Sequence, residues 1–369
     1  MRNILISTAG TSLLGNINHD KEGKLKEFVE SGNIKSLCNE LLKIKQDKRI
    51  CGAEMNSVAS IASKNMLKSN FYHLILVSDT DEGRFIGKIL EKIYVSKKSS
   101  VVFEKSEYRV IEGLNSDDAK RFQQEGLKNL VRIIGEIVRQ YGAEHILINA
   151  TGGYKAQISF AGMIGQALDI PVCYMFESFS EIIELPPQPV SLDLDFWIEN
   201  ASLFYELEDS LQLDSPHDLF DERFSMLVDY IEEDGSYIYA LTSAGQLFHE
   251  TFRYRFRRRK KDFIPKSSDI PEHQKKIKYE DDNAGKHKGL SAWLEQLKRV
   301  SFVNGIYTFY YNSDLEKKNL FKIDRAENID KIEGWFSKNG GITKFIIRIT
   351  AKTSQERNAA IVWLNEFFI

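Results

Sequence analysis

Residues 150–156 read Ala150-Thr-Gly-Gly-Tyr-Lys-Ala156 directly after the apolar run 145–148, and the chain opens on Ile4-Leu-Ile-Ser-Thr-Ala-Gly-Thr-Ser-Leu13. Both read as strands that end in small residues and feed a helix. Glycine at such a turn lets backbone N–H groups approach an anion closely, and the helix N-terminus adds partial positive charge. Two turns of this kind point to one shared phosphate site.

Outward from these turns, strand and helix signals alternate. Buried strands are expected at 4–7, 73–77, 145–149 and 171–175, with an extended segment at 100–110. Helices are expected at 25–46, 53–68, 83–94, 117–141 and 154–167. Continuous apolar runs separated by amphipathic helices predict a parallel sheet covered on both faces, an α/β, Rossmann-like domain. Its ligand belongs outside the carboxyl ends of the strands, where residues 8–12, 78–83 and 151–155 fall. No G-x-G-x-x-G follows the first strand, which argues against a dinucleotide site.

Three prolines within residues 186–189 mark a domain edge after residue 185 or so. Residues 191–258 are expected to form a helical, winged-helix-like connector, with a helix over 218–233, a strand at 237–241 and a capped helix beginning at 242. Residues 253–278 hold 11 Lys and Arg against three acids, with two prolines, and read as a mobile basic linker, its core at 259–283. A small α+β unit at 284–369 closes the chain. Its expected elements are helices at 290–300, 329–338 and 355–368, and strands at 306–311, 320–323 and 344–351.

The net charge of -3 hides a division. Residues 253–369 carry 25 Lys and Arg against 15 Asp and Glu, whereas residues 1–252 carry 25 against 38. Long-range attraction for a polyanion therefore belongs to the C-terminal part, and the acidic part must hold phosphates through local backbone geometry. The three cysteines stand apart, with neither a C-x-x-C pair nor histidines at ligand spacing, so no disulfide scaffold, metal site or cofactor is expected. No run of about 18 apolar residues and no signal-peptide core are present, which predicts a cytoplasmic protein without a membrane partner.

Taken together, Ile6-Ser-Thr-Ala-Gly-Thr-Ser12, Ser78-Asp-Thr-Asp-Glu-Gly83 and Asn149-Ala-Thr-Gly-Gly-Tyr-Lys-Ala156 resemble the CARF domains of CRISPR-associated sensors, over residues 1–190. The resemblance implies a cyclic oligoadenylate activator, cyclic tetra-adenylate being the expected ring, and a homodimer as the active form. An even-membered ring of identical nucleotides is two-fold symmetric, so an isologous dimer can present the same cradle to both halves. Gly10, Thr11, Ser12, Gly152 and Gly153 would supply N–H and hydroxyl donors, with Lys155 a point charge. Ser78, Asp79, Thr80, Asp81 and Thr151 complete the expected ligand set. The two aspartates would accept from ribose hydroxyls or adenine amino groups, or else cap the following helix. Some members of the family also cleave their ring, which leaves a ring-degrading sensor open.

The C-terminal unit lacks an Arg-x4-6-His motif and a carboxylate cluster at strand ends, which disfavours HEPN and metal-dependent nucleases. A small, basic α+β unit is similar instead to RelE-type mRNA interferases. That resemblance implies metal-independent RNA cleavage, with mRNA and the ribosome as partners. Candidate catalytic residues are Lys286, His287, Lys288, Tyr307, Tyr310, Arg348, Lys352 and Arg357. Arg348 is singled out as a cation within an apolar strand, while Trp335 and Trp363 are expected in the core. The competing reading is a DNA-binding regulator that uses the connector as its reader.

Overall fold

The runs Ile4–Thr8 and Tyr72–Ser78 are buried along their whole length, as strands flanked by helices on both faces must be. The structure is a computed structural model that describes residues 2–19, 23–176, 181–185, 193–213, 222–279, 287–315, 317–338 and 341–369. The chain divides into two compact units, Met1–Ser191 with Thr242–Thr251, and Leu192–Leu241 with Phe252–Ile369.

In the first unit the elements run β1 (Ile4–Thr8), α1 (Ser12–Asn18), α2 (Lys24–Glu30), α3 (Ile34–Leu41), α4 (Gly52–Ser63), β2 (Tyr72–Ser78) and α5 (Asp81–Tyr94). They continue as β3 (Lys105–Ile111), α6 (Ala119–Arg121), α7 (Leu127–Tyr141), β4 (Ile146–Asn149), α8 (Lys155–Ala167), β5 (Val172–Tyr174) and β6 (Ile183–Glu184). The sheet order is β3-β2-β1-β4-β5-β6, parallel except for β6. The order reverses at β1, between β2 and β4, which is where an open α/β sheet splays its loops to make a crevice.

One core joins Leu5, Ile75, Val77 and Leu147 of the strands to Leu13, Met55, Val58, Ile86 and Ile89 of the helices. Each side chain of this kind contributes about 1.5–3 kcal/mol by burial. A polar seam crosses the sheet beside it. Ser7 Oγ lies 2.9 Å from His73 Nε2, and Asn149 Nδ2 donates to Ser57 Oγ at 2.8 Å. Burial drives the His73 imidazole down to about 3, so it is neutral.

The helix expected over 25–46 is two helices. Gly32 takes φ +64°, Ser31 Oγ donates back to Glu27 O, and Asn33 accepts from Ser36 N to start α3. The helix expected over 117–141 contains a π-helical stretch, Phe122–Gly126. There Gly126 packs so closely on Gly113 that a Cβ would lie 2.8 Å from its carbonyl oxygen.

The second unit contains α9 (Leu194–Glu199), α10 (Ala201–Leu207), β7 (Leu211–Leu213), β8 (Val228–Glu233) and β9 (Ser236–Leu241). Helix α11 (Ser243–Arg259) belongs to the first unit through Thr251 and to the second from Phe252. Then come β10 (Lys276–Tyr279), α12 (Leu290–Lys298), β11 (Val303–Asn312), β12 (Leu320–Ile323), β13 (Lys331–Phe336), β14 (Ile342–Ile349) and α13 (Ser354–Phe367). Strands β7-β9-β8 form one antiparallel sheet. Strands β10-β11-β14-β13-β12 form another, antiparallel except where β10 joins β11.

Three expectations fail here. The helix placed over 218–233 is strand β8 from Val228 onward, turning into β9 through Asp234 and Gly235 at φ +50° and +77°. Asp-Gly with both φ positive is the turn that matches strand twist in a two-residue hairpin. A winged-helix reading loses its first helix at that point, while the capped helix beginning at 242 is α11. The helix placed over 329–338 is β13, because Ile332 and Phe336 alternate with Lys331, Glu333 and Trp335, and Gly334 makes room for the Phe345 ring.

The basic run 253–278 is built into structure as well. Arg253 and Arg257 on α11 both grip the fully buried Glu366, Arg257 Nε at 2.8 Å, and Tyr205 OH donates to the same carboxylate at 2.9 Å. Burial alone would push the Glu366 carboxyl up, but the two guanidinium groups hold it below its usual range.

Candidate functional site

The turns after β1 and β4 meet backbone to backbone. A Cβ on Gly10 would lie 2.7 Å from Gly153 N, and one on Gly152 would lie 2.8 Å from Gly10 N. Thr8 Oγ1 donates to Gly152 O at 2.5 Å, and Gly153 sits at φ +105°. The glycines therefore serve first to let the two turns touch. Beside them opens a cleft of about 1150 Å3, walled by Gly10, Thr11, Ser78, Asp79, Thr80, Asp81, Glu82, Arg84, Asn115, Asp117, Gly153 and Tyr154.

The first turn of α1 is already occupied. Ser12 N donates to Glu54 Oε1 and Leu13 N to Glu54 Oε2, both at 3.1 Å, while Ser12 Oγ donates to Oε2 at 2.6 Å and accepts from Ala53 N at 2.7 Å. Glu54 is 4% exposed. A carboxylate from α4 thus takes the place at a helix N-terminus that an external anion would fill. Ser12, expected as a ligand donor, is spent inside the fold. A lone acid on the packed face of α4 was the available signal, since a buried carboxylate needs partners.

Other expected donors are also tied internally. Thr151 is buried, its Oγ1 2.6 Å from Asn149 Oδ1 and accepting from Met175 N at 3.1 Å. Thr80 is the cap of α5, accepting from Gly83 N at 3.0 Å, and Ser78 Oγ lies 3.0 Å from its hydroxyl. Asp79 accepts from Gly113 N at 3.0 Å and from Arg84 at 2.7 Å, so it is a strut between the β2 and β3 loops. The Gly113 amide, then Arg84, hold its carboxyl below the usual range. Lys155 opens α8 and is exposed, and neither it nor the buried Gly152 is part of the cleft wall.

What faces the cleft is Thr11, whose side chain makes no cap bond, with exposed Asp81 and Glu82, the Arg84 guanidinium, and Tyr154 set edge-on to Phe122 at 5.3 Å. Arg84 and Tyr154 were not singled out from the sequence. This wall offers hydroxyl and amide donors, carboxylate acceptors for amino and hydroxyl groups, one guanidinium and one aromatic ring.

The residues expected in the second unit separate. His287 is 3% exposed, its ring nitrogens 2.7 Å from Thr343 Oγ1 and from Lys338 O. Arg357 is 6% exposed and donates to Glu327 O at 2.8 Å. Both side chains are buried and hydrogen-bonded within the fold. Lys286 lies outside the described residues. Lys288 and Lys352 are exposed, Lys352 at the start of α13.

Arg348 and Tyr307 do share one face of the five-stranded sheet, the guanidinium carbon 6.0 Å from the ring centroid. Tyr310 follows on β11, opposite Lys344 of β14, and its hydroxyl accepts from Asn312 at 3.2 Å. Trp335, expected in the core, stands on this face too. Trp363 packs against the core on the helical side, as expected. Among the described residues no three His, Cys, Asp or Glu side chains gather to hold a metal ion, and no helix is long and apolar enough to cross a membrane.

Residues 49–188 match the family Cas_APE2256, a CRISPR-associated protein. The matched segment is less than half of the chain, and it contains the 78–83 loop and the 151–155 turn. A search of curated proteins finds no match. Among solved structures the chain is similar to Can2 from Sulfobacillus thermosulfidooxidans in complex with cyclic tetra-adenylate, at 10% identity over 71% of this chain and 67% of that one, with a TM-score of 0.25. A likeness at that level carries no argument.

Proposed function

We propose that the first unit is a sensor for a cyclic oligoadenylate, cyclic tetra-adenylate being the expected ring, and that the second unit is an endoribonuclease switched by it in CRISPR antiviral defence. The observation that carries this reading is the cleft at the reversal of strand order, walled by amides, carboxylates, Arg84 and Tyr154, whose 78–84, 115–117 and 153–154 walls lie in the segment similar to a CRISPR-associated family. Asp81 and Glu82 accept from adenine amino or ribose hydroxyl groups, Tyr154 offers a ring face, and Thr11 with the Gly10 and Gly153 amides serves phosphate. A homodimer completes the site around the dyad of the ring.

The second unit works in the manner of a RelE-type interferase. The RNA 2′-oxygen attacks the adjacent phosphorus, the 5′-oxygen leaves, and a 2′,3′-cyclic phosphate and a 5′-hydroxyl result. Arg348 neutralises the phosphorane, and Tyr310 or Lys352 moves the proton. Ring binding acts through the difference in its affinity for the resting and active arrangements.

The test is calorimetry with cyclic tetra- and hexa-adenylate, followed by cleavage assays on ribosome-bound mRNA, free RNA and duplex DNA, with and without EDTA. The reading expects one ring per two chains and ring-stimulated RNA cleavage that persists in EDTA. Rejection of every ring would end it, and a metal requirement would replace its chemistry.

A further inference from the structure

On the face of the five-stranded sheet away from α12 and α13, three ammonium groups crowd one indole. Lys344 Nζ lies 4.8 Å from the Trp335 ring centroid, Lys322 Nζ 4.9 Å and Lys317 Nζ 5.4 Å. Trp335 Nε1 donates to Glu333 Oε1 at 2.6 Å, which fixes how the ring stands. Lys322 is neutralised by Glu206 at 2.6 Å. For Lys317 and Lys344 no carboxylate among the described residues lies within ion-pairing distance. Each is thus a cation beside an aromatic ring with no fixed counter-ion among the described residues, and each can take a phosphate from outside.

The same ring borders a pocket of about 410 Å3, walled also by Tyr205, Leu211, Lys317, Lys318 and the acids Glu206 and Asp209, with Lys318 paired to Asp209 at 2.7 Å, so that among the described residues Lys317 is the unpaired cation of its wall. Farther along the sheet the face continues with Tyr310, 5.1 Å from Lys344 Nζ, and with Tyr307 under Arg348. Aromatic faces interleaved with cations are how proteins hold single-stranded nucleic acid, bases on the rings and phosphates on the side-chain cations.

We propose that the Trp335 face is a landing site for single-stranded RNA, with a base against the indole and neighbouring phosphates on Lys344 and Lys317. The choice of RNA over DNA rests on the ribonuclease reading above. Trp335 acts by positioning the strand and takes no part in bond cleavage.

The experiment is fluorescence anisotropy of the full chain with a labelled single-stranded RNA of about 12 nucleotides, repeated across salt concentrations and with DNA of the same sequence. Trp335→Ala is expected to weaken RNA binding about tenfold or more, with an unchanged salt slope, while Trp335→Phe keeps most of the affinity. Lys344→Gln is expected to reduce the log–log salt slope by about 0.7. Unchanged affinity in Trp335→Ala, or an unchanged slope in Lys344→Gln, overturns the proposal. DNA bound as tightly as RNA overturns the choice of RNA.

Ring-stimulated cleavage measured on the same variants separates the two readings. Wild type that binds RNA through Trp335 and cuts none keeps the landing site and removes the ribonuclease. Undiminished cleavage with unchanged affinity in Trp335→Ala does the reverse.

Discussion

The two units treat negative charge in opposite ways. In the first, the amides that open α1 and the Ser12 hydroxyl are filled by Glu54, a carboxylate from the same fold. In the second, Lys317 and Lys344 flank Trp335 with no such internal partner among the described residues. A helix end that brings its own anion is a structural joint, whereas cations left uncompensated beside an aromatic ring are free to take one from outside. In the proposed reading, the cleft of the first unit recognises its ring through Thr11, Asp81, Arg84 and Tyr154 more than through the helix terminus.

The contrast holds for the sheet face of the second unit and not for its interior, where a carboxylate is enclosed as Glu54 is. Arg253 and Arg257 enclose Glu366, so Glu366→Gln strands two guanidinium groups beside a neutral amide. A loss of about 3–5 kcal/mol is expected in urea unfolding. A negligible loss would show that the enclosed carboxylate is not what satisfies these two guanidinium groups.

Emptying the α1 joint makes the first unit resemble the second. Glu54→Ala is expected to cost about 1–3 kcal/mol, since it leaves the Ser12 and Leu13 amides unpaired. Inorganic phosphate should then restore part of the thermal stability of the variant and leave the wild type unmoved. Equal effects on both would mean that Glu54 does not occupy an anion site.

Acid sharpens the contrast from inside the first unit. His73 titrates at about 3 when folded and near 6.5 when unfolded, so between those values only the unfolded chain takes up the proton. The stability it contributes is fully present above pH 6.5 or so and is lost as pH falls, at about 1.4 kcal/mol per pH unit at the steepest. Urea unfolding at falling pH should show that slope in the wild type and lose it in His73→Gln. The smallest effect is expected at Gly235, where alanine at φ +77° costs about 1 kcal/mol of hairpin stability, read by thermal melting.

Where a stretch makes its structure locally, the sequence was legible. The runs at β1, β2 and β4 bury both faces, so continuous hydrophobicity marked them, and the small-residue turns after them were found because glycine is needed where backbones touch. Strand β13 is hard to read from sequence because Gly334 interrupts its apolar positions. The alternation of Ile332, Gly334 and Phe336 makes sense only once the Phe345 ring is seen over the glycine. Strand β8 carried a local signal, Asp234-Gly235, that was outweighed by its acidic residues. Glu54, His287 and Arg357 lay beyond reach for one reason: each is defined by a partner distant in the chain, Ser12, Thr343 and Glu327 respectively.

Helix α11 has a practical consequence for anyone dividing this protein. Because the first unit leaves the chain at Ser191 and resumes at Thr242, no single cut releases it whole. A fragment ending at residue 191 would keep Arg139 and lose Glu250, the acid it binds, along with the Ser243 hydroxyl that donates to Gln123 O. Poor solubility of such a fragment would report a missing piece of scaffold, and would say nothing about whether the complete first unit can stand alone.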